Sequence, residues 1–197
     1  MSDVIQLNIS IQHSEPLIFR TVLVKKETTF FELHHIIQIV MGWQNYHLFE
    51  FNLEGYRVGL IEESEKRNGY GSDQVLDASQ LKITDILSCE KETFLYNYDF
   101  GDCWMHEISI EKVLKKEAKV VYPMCIDGNY NCPPEDCGGI LGFYHILNII
   151  QDKTHPEYKE TRQWVGKKYD PATFDKNKVN RKLRQLRSYI ARWNSFE

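Results

Sequence analysis

The amino-acid sequence predicts an α+β fold: a mainly antiparallel sheet with a helix on one face, a β-grasp-like opening and a C-terminal helical segment. Three observations lead there. Residues 4–11 alternate, with Ile5, Leu7, Ile9 and Ile11 on one side and Gln6, Asn8 and Ser10 on the other, the period-two mark of a half-buried strand. Phe30, Leu33, Ile36, Ile37, Val40 and Met41 follow at helical spacing. Near the end, Val179, Leu183, Leu186, Ile190 and Trp193 form the seam of an amphipathic helix,.

Each element has its own local signal. The run from Leu17 to Val24 follows a short break at Ser14-Glu15-Pro16, so the first two strands form an antiparallel hairpin,. Thr28 or Thr29 caps the first helix, Glu32 is placed for a capping box, and Gly42 ends it,. His47–Leu53 and Tyr56–Leu60 read as strands joined at Glu54-Gly55, and Glu62–Ser79 as a long exposed loop,. Leu81–Leu87 is a short helical piece before strands at Phe94–Tyr98 and Trp104–Val113. Tyr122–Gly139 reads as a structureless connector. Ile140–Gln151, apolar on nearly every side, reads as a buried helix,. Pro156–Val165 forms another, ended by Gly166, and Asp175 caps the last. At 197 residues the chain fits one domain, with a sheet-rich part over 1–139 and a helical part over 140–197 packed on it,.

Composition excludes whole classes. With 42% hydrophobic and 26% charged residues the chain is neither disordered nor a disulfide scaffold,. It has no stretch long enough to span a membrane and no basic-then-apolar leader, so no membrane association is expected,. Cys89, Cys103, Cys125, Cys132 and Cys137 are odd in number and unevenly spaced, which points to a reducing cytoplasm,. The net charge of −4 is divided: residues 175–197 carry seven bases and two acids, +5, and residues 1–174 carry 17 bases and 26 acids, −9. Such asymmetry implies a partner for the basic tail, nucleic acid or protein, unless the tail docks on its own acidic body.

Two clusters concentrate reactive side chains. In Tyr96–His106, Gly101 between Asp99 and Asp102 marks a tight turn with both carboxylates at its mouth,. Trp104, His106, Ile108 and Ile110 share a face of the outgoing strand. The second cluster, Cys125–Gly139, holds three cysteines that, with His106, invite a zinc-thiolate reading, although the spacing is not that of paired Cys-x2-Cys knuckles,. Glu135 and Asp136 precede Gly138-Gly139 and a helix start. His47 joins His106 in a site if their strands are neighbours. Walker loops, dinucleotide fingerprints, His-Glu-x-x-His helices and Gly-x-Ser-x-Gly elbows are absent from the sequence,.

Several motifs carry a family resemblance. Pro16-Leu17-Ile18-Phe19-Arg20 comes first, then Leu33-His34, Ile37-Gln38 and Met41-Gly42-Trp43 with His47-Leu48 and Phe51. Tyr96-Asn97-Tyr98-Asp99-Phe100-Gly101-Asp102 follows with Trp104 and His106, then Cys132-Pro133-Pro134-Glu135-Asp136-Cys137-Gly138-Gly139. Trp164, Gly166, Tyr169-Asp170 and Phe174-Asp175 complete the set. In that order, over about residues 5–180, the chain resembles the plasmid pRiA4b ORF-3-like family, also described as the passenger or TnpR-like proteins of an insertion-sequence element. The resemblance implies a compact α+β fold related to β-grasp proteins and a domain of unknown function. It supplies no catalytic residues, and the serine-among-arginines constellation of a serine resolvase is not found.

Three functional expectations follow. The first is a binding or interaction module tied to mobile-element or nucleic-acid biology, with Arg181, Lys182, Arg184, Arg187 and Arg192 facing phosphates,. The second is a metal-dependent hydrolase or nuclease in which Asp99, Asp102 and His106, with Glu135 or Asp136, hold a divalent metal and activate water,. The third is structural: Asp99 and Asp102 bond to amides of the connector and pin it to the sheet.

Overall fold

Alternation along Asp3–Ile11 (β1) and the branched run Phe19–Lys25 (β2) produces the expected antiparallel hairpin, with Leu7 opposite Val22 and Ile9 opposite Arg20. The computed structural model describes residues 3–60, 75–87 and 90–193. After the hairpin comes helix α1 (Phe30–Met41). Its cap is Thr29, whose side chain accepts from the Glu32 amide while the Glu32 carboxylate accepts from the Thr29 amide. Gly42 ends α1 with φ 92°, a left-handed conformation that costs glycine nothing,.

The remaining strands are β3 (Phe49–Leu53), β4 (Tyr56–Gly59), β5 (Val75–Asp77), β6 (Thr93–Tyr98), β7 (Trp104–Lys115) and β8 (Met124–Gly128). They form one sheet in the order β5-β4-β3-β6-β7-β1-β2-β8, antiparallel throughout except for the parallel β4–β5 pair. Two short strands lie where the sequence reads as loop. β8 falls in the supposed connector and pairs with β2, and β5 falls in the supposed 62–79 loop, of which residues 62–74 lie outside the described residues. Met124–Gly128 and Val75–Asp77 are edge strands, too short for alternation to show,.

One face of the sheet forms the core against α1. Register aligns Leu7, Ile9 and Ile11 with Ile110, Ile108 and His106 on β7, then Tyr96 and Tyr98 on β6, then Phe51 and Phe49 on β3. All of these are buried. Phe30 meets Phe51 and Phe94 edge-on, with centroids 5.1 and 6.1 Å apart,. Trp104, His106, Ile108 and Ile110 do share this face, as the pattern requires.

The helical part comprises α3 (Gly139–Gln151), α4 (Tyr158–Trp164), α5 (Lys176–Leu183) and α6 (Leu186–Trp193), with the one-turn α2 (Ile83–Ile86) earlier in the chain. α3 is not buried all round: Phe143, Ile146 and Ile149 face inward, whereas Leu141 is 79% exposed. The C-terminal stripe is two helices rather than one. A tight turn at 184–185, where the Gln185 amide donates to the Lys182 carbonyl, separates α5 from α6. Leu183 and Leu186 on either side of it are both buried, and Tyr189 and Trp193 reach His35 of α1. Asp175 caps α5 as expected, accepting from the Lys178 amide. Among the described residues, no helix is long and apolar enough to cross a membrane.

Candidate metal centre

The two residue-rich clusters meet. Gly139 lies so close to the β6–β7 turn that a Cβ there would stand 2.5 Å from the Asp102 carbonyl oxygen, and one on Gly142 would overlap the Cys137 carbonyl. Glycine at 139 lets the connector backbone touch the turn, and glycine at 142 lets the start of α3 pack on the connector's Cys137,. The Gly138 amide donates to Asp102 Oδ2 at 3.1 Å, so Asp102 pins the connector. Asp99 does not: its Oδ1 accepts from the Gly101 and Asp102 amides at 3.0 and 3.3 Å and shapes its own turn, with φ 57°,. The bond to the connector expected of both carboxylates is thus made by Asp102 and not by Asp99.

A second set of bonds ties the loop after α1 to the same connector. Trp43 Nε1 donates to the Pro133 carbonyl at 2.9 Å, and the Gln44 amide donates to Glu135 Oε2 at 2.8 Å. The Tyr98 hydroxyl donates to the other oxygen of Glu135 and accepts from the Tyr46 amide. Burial, then the neighbouring Glu135, hold the Tyr98 phenol far above its ordinary range, so it stays a donor,. Below lies a buried polar layer in which His34 Nε2 is 2.6 Å from Asn45 Oδ1 and His34 Nδ1 is 2.7 Å from the Tyr96 hydroxyl. Asn45 and its loop are thereby anchored to α1.

These ties bring His47, Asp99 and Asp136 together from three separate segments, with one potential ligand atom of each within 4.8 Å of the others. His47 Nε2 lies 3.0 Å from Asp136 Oδ1 and 3.5 Å from Asp99 Oδ2. That nitrogen is shielded from solvent yet has hydrogen-bond geometry to neither. A cation about 2.0–2.2 Å from each ligand requires ligands about 3–3.5 Å apart, the spacing found around His47. Asp99 is 10% exposed at its side chain, His47 29% and Asp136 65%, so the cluster opens outward on the Asp136 side. One imidazole and two carboxylates suit manganese, iron or zinc better than a purely oxygen-loving ion.

The other candidates are placed elsewhere. His106 is wholly buried against Trp43 and Tyr96, its Nδ1 is 2.9 Å from the Trp104 carbonyl oxygen, and burial pushes it down to about 4. It is a core histidine, corrected from the expected ligand. Nor can His47 partner it: β6 separates β3 from β7, and His47 precedes β3. The zinc-thiolate reading is also corrected. Cys125 contacts the Asp127 carbonyl, Cys132 contacts Arg20 and Met41, and Cys137 contacts the Gly139 carbonyl. Among the described residues they form no common ligand group. Burial raises their thiols, Cys125 to about 11 and Cys137 to about 12, against thiolate formation,. His47, weighed in the sequence only as a partner for His106, is the site residue missed; its place in the turn before β3 was the available signal.

Arg181, Lys182, Arg184, Arg187 and Arg192 are all exposed on α5, α6 and the turn between them. Among the described residues, the first four make no ion pair, so the tail does not dock on the acidic body through them.

Fold and site together define an α+β protein built on one eight-stranded sheet, whose loops at the β6–β7 turn gather a His-Asp-Asp cluster. The chain belongs to the plasmid pRiA4b ORF-3-like protein family, whose model matches residues 3–178. It is 31% identical over 194 residues to the uncharacterized protein y4hQ of Sinorhizobium fredii (strain NBRC 101917 / NGR234), covering 98% of this chain and 96% of that protein. Its fold matches the crystal structure of MM3350, a protein of unknown function from Methanosarcina mazei Go1, with a TM-score of 0.81 and 33% identity. That match covers 90% of this chain and 97% of the other.

Proposed function

We propose that the chain is a divalent-metal-dependent hydrolase whose cation is held by His47, Asp99 and Asp136. The convergence of these three ligand atoms from three segments carries the reading. Three protein ligands leave coordination positions free for water, and a bound cation lowers the proton affinity of that water enough to make hydroxide near neutral pH. Asp102 and Glu135 act as positioning residues: one holds the connector, the other the loop that carries His47. The free state of Cys103, Cys125, Cys132 and Cys137 fits a cytoplasmic setting,.

The test is metal analysis of untagged protein, followed by Mn²⁺ titration monitored by electron paramagnetic resonance. One ion per chain is expected, with binding lost in His47→Ala and Asp136→Ala while circular dichroism stays native. Absence of binding, or binding indifferent to both substitutions, overturns the reading.

A second reading concerns the exposed bases Arg181, Lys182, Arg184 and Arg187, whose lack of ion pairs among the described residues favours an external polyanion. The mobile-element association implied by the resemblance belongs here. A nucleic-acid partner requires affinity that falls steeply with salt. Fluorescence anisotropy with duplex and single-stranded DNA across salt concentrations checks it, and Arg184→Glu with Arg187→Glu should reduce the slope. No binding at low salt removes it.

A further inference from the structure

A cavity of about 620 Å³ lies between the end of α1, the connector and the helical part, within the range of small-molecule sites,. Asp136 belongs both to its wall and to the His-Asp-Asp cluster. The wall has an unusual charge balance for a body that is acidic overall. Four bases line it: Arg20, Lys168, Lys178 and Lys182. Arg20 is already committed, its guanidinium donating to the carbonyls of Phe19, Val40, Asn129 and Tyr130 and stacking 4.0 Å above the Phe174 ring. The three lysine ammonium groups have no ion pair among the described residues.

Three acids share the wall: Asp136 belongs to the cluster, and the other two are held by neighbours. Glu135 accepts from Tyr98 and Gln44, and Asp175 caps α5. Four bases against three acids give the wall a net charge of +1, and its lysines form no ion pair among the described residues. Trp164, 52% exposed, adds a planar surface to the same wall, on which a heteroaromatic ring can stack.

We infer that this cavity binds a nucleoside monophosphate or a close analogue: a phosphomonoester attached to a planar base, held by Lys168, Lys178 and Lys182 and stacked on Trp164. The inference rests on the metal reading only for the reaction. There, water activated at the cluster forms a bond to phosphorus, the ester P–O bond breaks, and the leaving oxygen takes the water's proton, giving the nucleoside and inorganic phosphate. Binding itself needs the cavity alone.

Isothermal titration of chelator-treated full-length protein with AMP, adenosine and inorganic phosphate tests it. AMP should bind saturably, and more tightly than either fragment. Lys178→Ala and Lys168→Ala should each weaken it about tenfold or more, the loss expected for a charge-assisted contact. Trp164→Ala should weaken AMP but leave inorganic phosphate unchanged. Failure of AMP to bind, indifference to both lysine substitutions, or phosphate binding as tightly as AMP overturns the inference. His47→Ala separates the two readings: AMP binding retained without Mn²⁺ binding supports the cavity independently. A wild-type protein that binds AMP but no metal sinks the hydrolase reading alone.

Discussion

Acid should unfold this protein well above the pH at which carboxylates alone would do so, because three histidines are buried around α1: His34 and His106 towards the sheet and His35 beneath α6. His35 and His106 are both fully buried, and burial pushes each from an ordinary 6.5 to about 4. Burial, with the adjacent His35, moves His34 in the same direction. In the folded protein these rings are neutral, whereas in the unfolded chain they bind protons below pH 6.5, so unfolding takes up protons in that window. Their stability contribution is complete above pH 6.5 and is lost as pH falls towards 4. At pH 5 each of His35 and His106 costs about 2 kcal/mol relative to pH 7.5, and the full shift is worth about 3 kcal/mol each. Against a domain stability of about 5–15 kcal/mol, that is enough to cause acid unfolding. Urea unfolding followed by tryptophan fluorescence, repeated from pH 7.5 to 4.5, measures the slope, expected to approach about 4 kcal/mol per pH unit for three protons. His106→Phe keeps an aromatic ring without the titrating nitrogen and should remove about one proton from that slope. Stability flat between pH 7 and 5, or a slope unchanged in the variant, would refute the reasoning.

Three further outcomes follow from the contacts around the site. Gly139→Ala places a Cβ 2.5 Å from the Asp102 carbonyl at a φ of 67°, and should cost about 1–3 kcal/mol, read as a lowered melting temperature. Tyr98→Phe leaves Glu135 and the Tyr46 amide without their shared partner; a loss of about 1–3 kcal/mol is expected by chemical denaturation. Arg20→Met strips the carbonyls of Val40, Asn129 and Tyr130 of their buried donor. It should destabilise by about 3 kcal/mol or more, and melting within 1 °C of wild type, on the order of a few tenths of a kcal/mol, would contradict that.

Local chemistry made most elements legible. The Thr29–Glu32 box, the apolar stripe and Gly42 lie in α1 or directly flank it, so its limits needed nothing beyond that short stretch of chain. The alternation of Ile5, Leu7, Ile9 and Ile11 likewise names the buried face of β1 before any partner is known. β8 was hidden because Met124–Gly128 owes its extended form to pairing with β2, a partner distant in the chain. The break between α5 and α6 was hidden for a related reason: the stripe Val179–Trp193 is continuous in sequence, and only packing against α1 shows where it turns. Asp99 and Asp136 stood out as carboxylates in turns, but their union with His47 follows from β3 lying beside β6 and from the connector folding over both. Burial identified His106 as a core residue, which no spacing rule distinguishes from a ligand.

The three-segment origin of the His-Asp-Asp cluster makes it a gauge of folding. No fragment containing only one or two of its loops assembles the set, and an unfolded chain presents the ligands at random separations. Any ion that occupies it therefore favours the native state by mass action, and free-ion concentration becomes a dial on melting temperature. A rise of that temperature with added Mn²⁺, abolished by His47→Ala, would report the closure of loops that no single segment of the chain encodes.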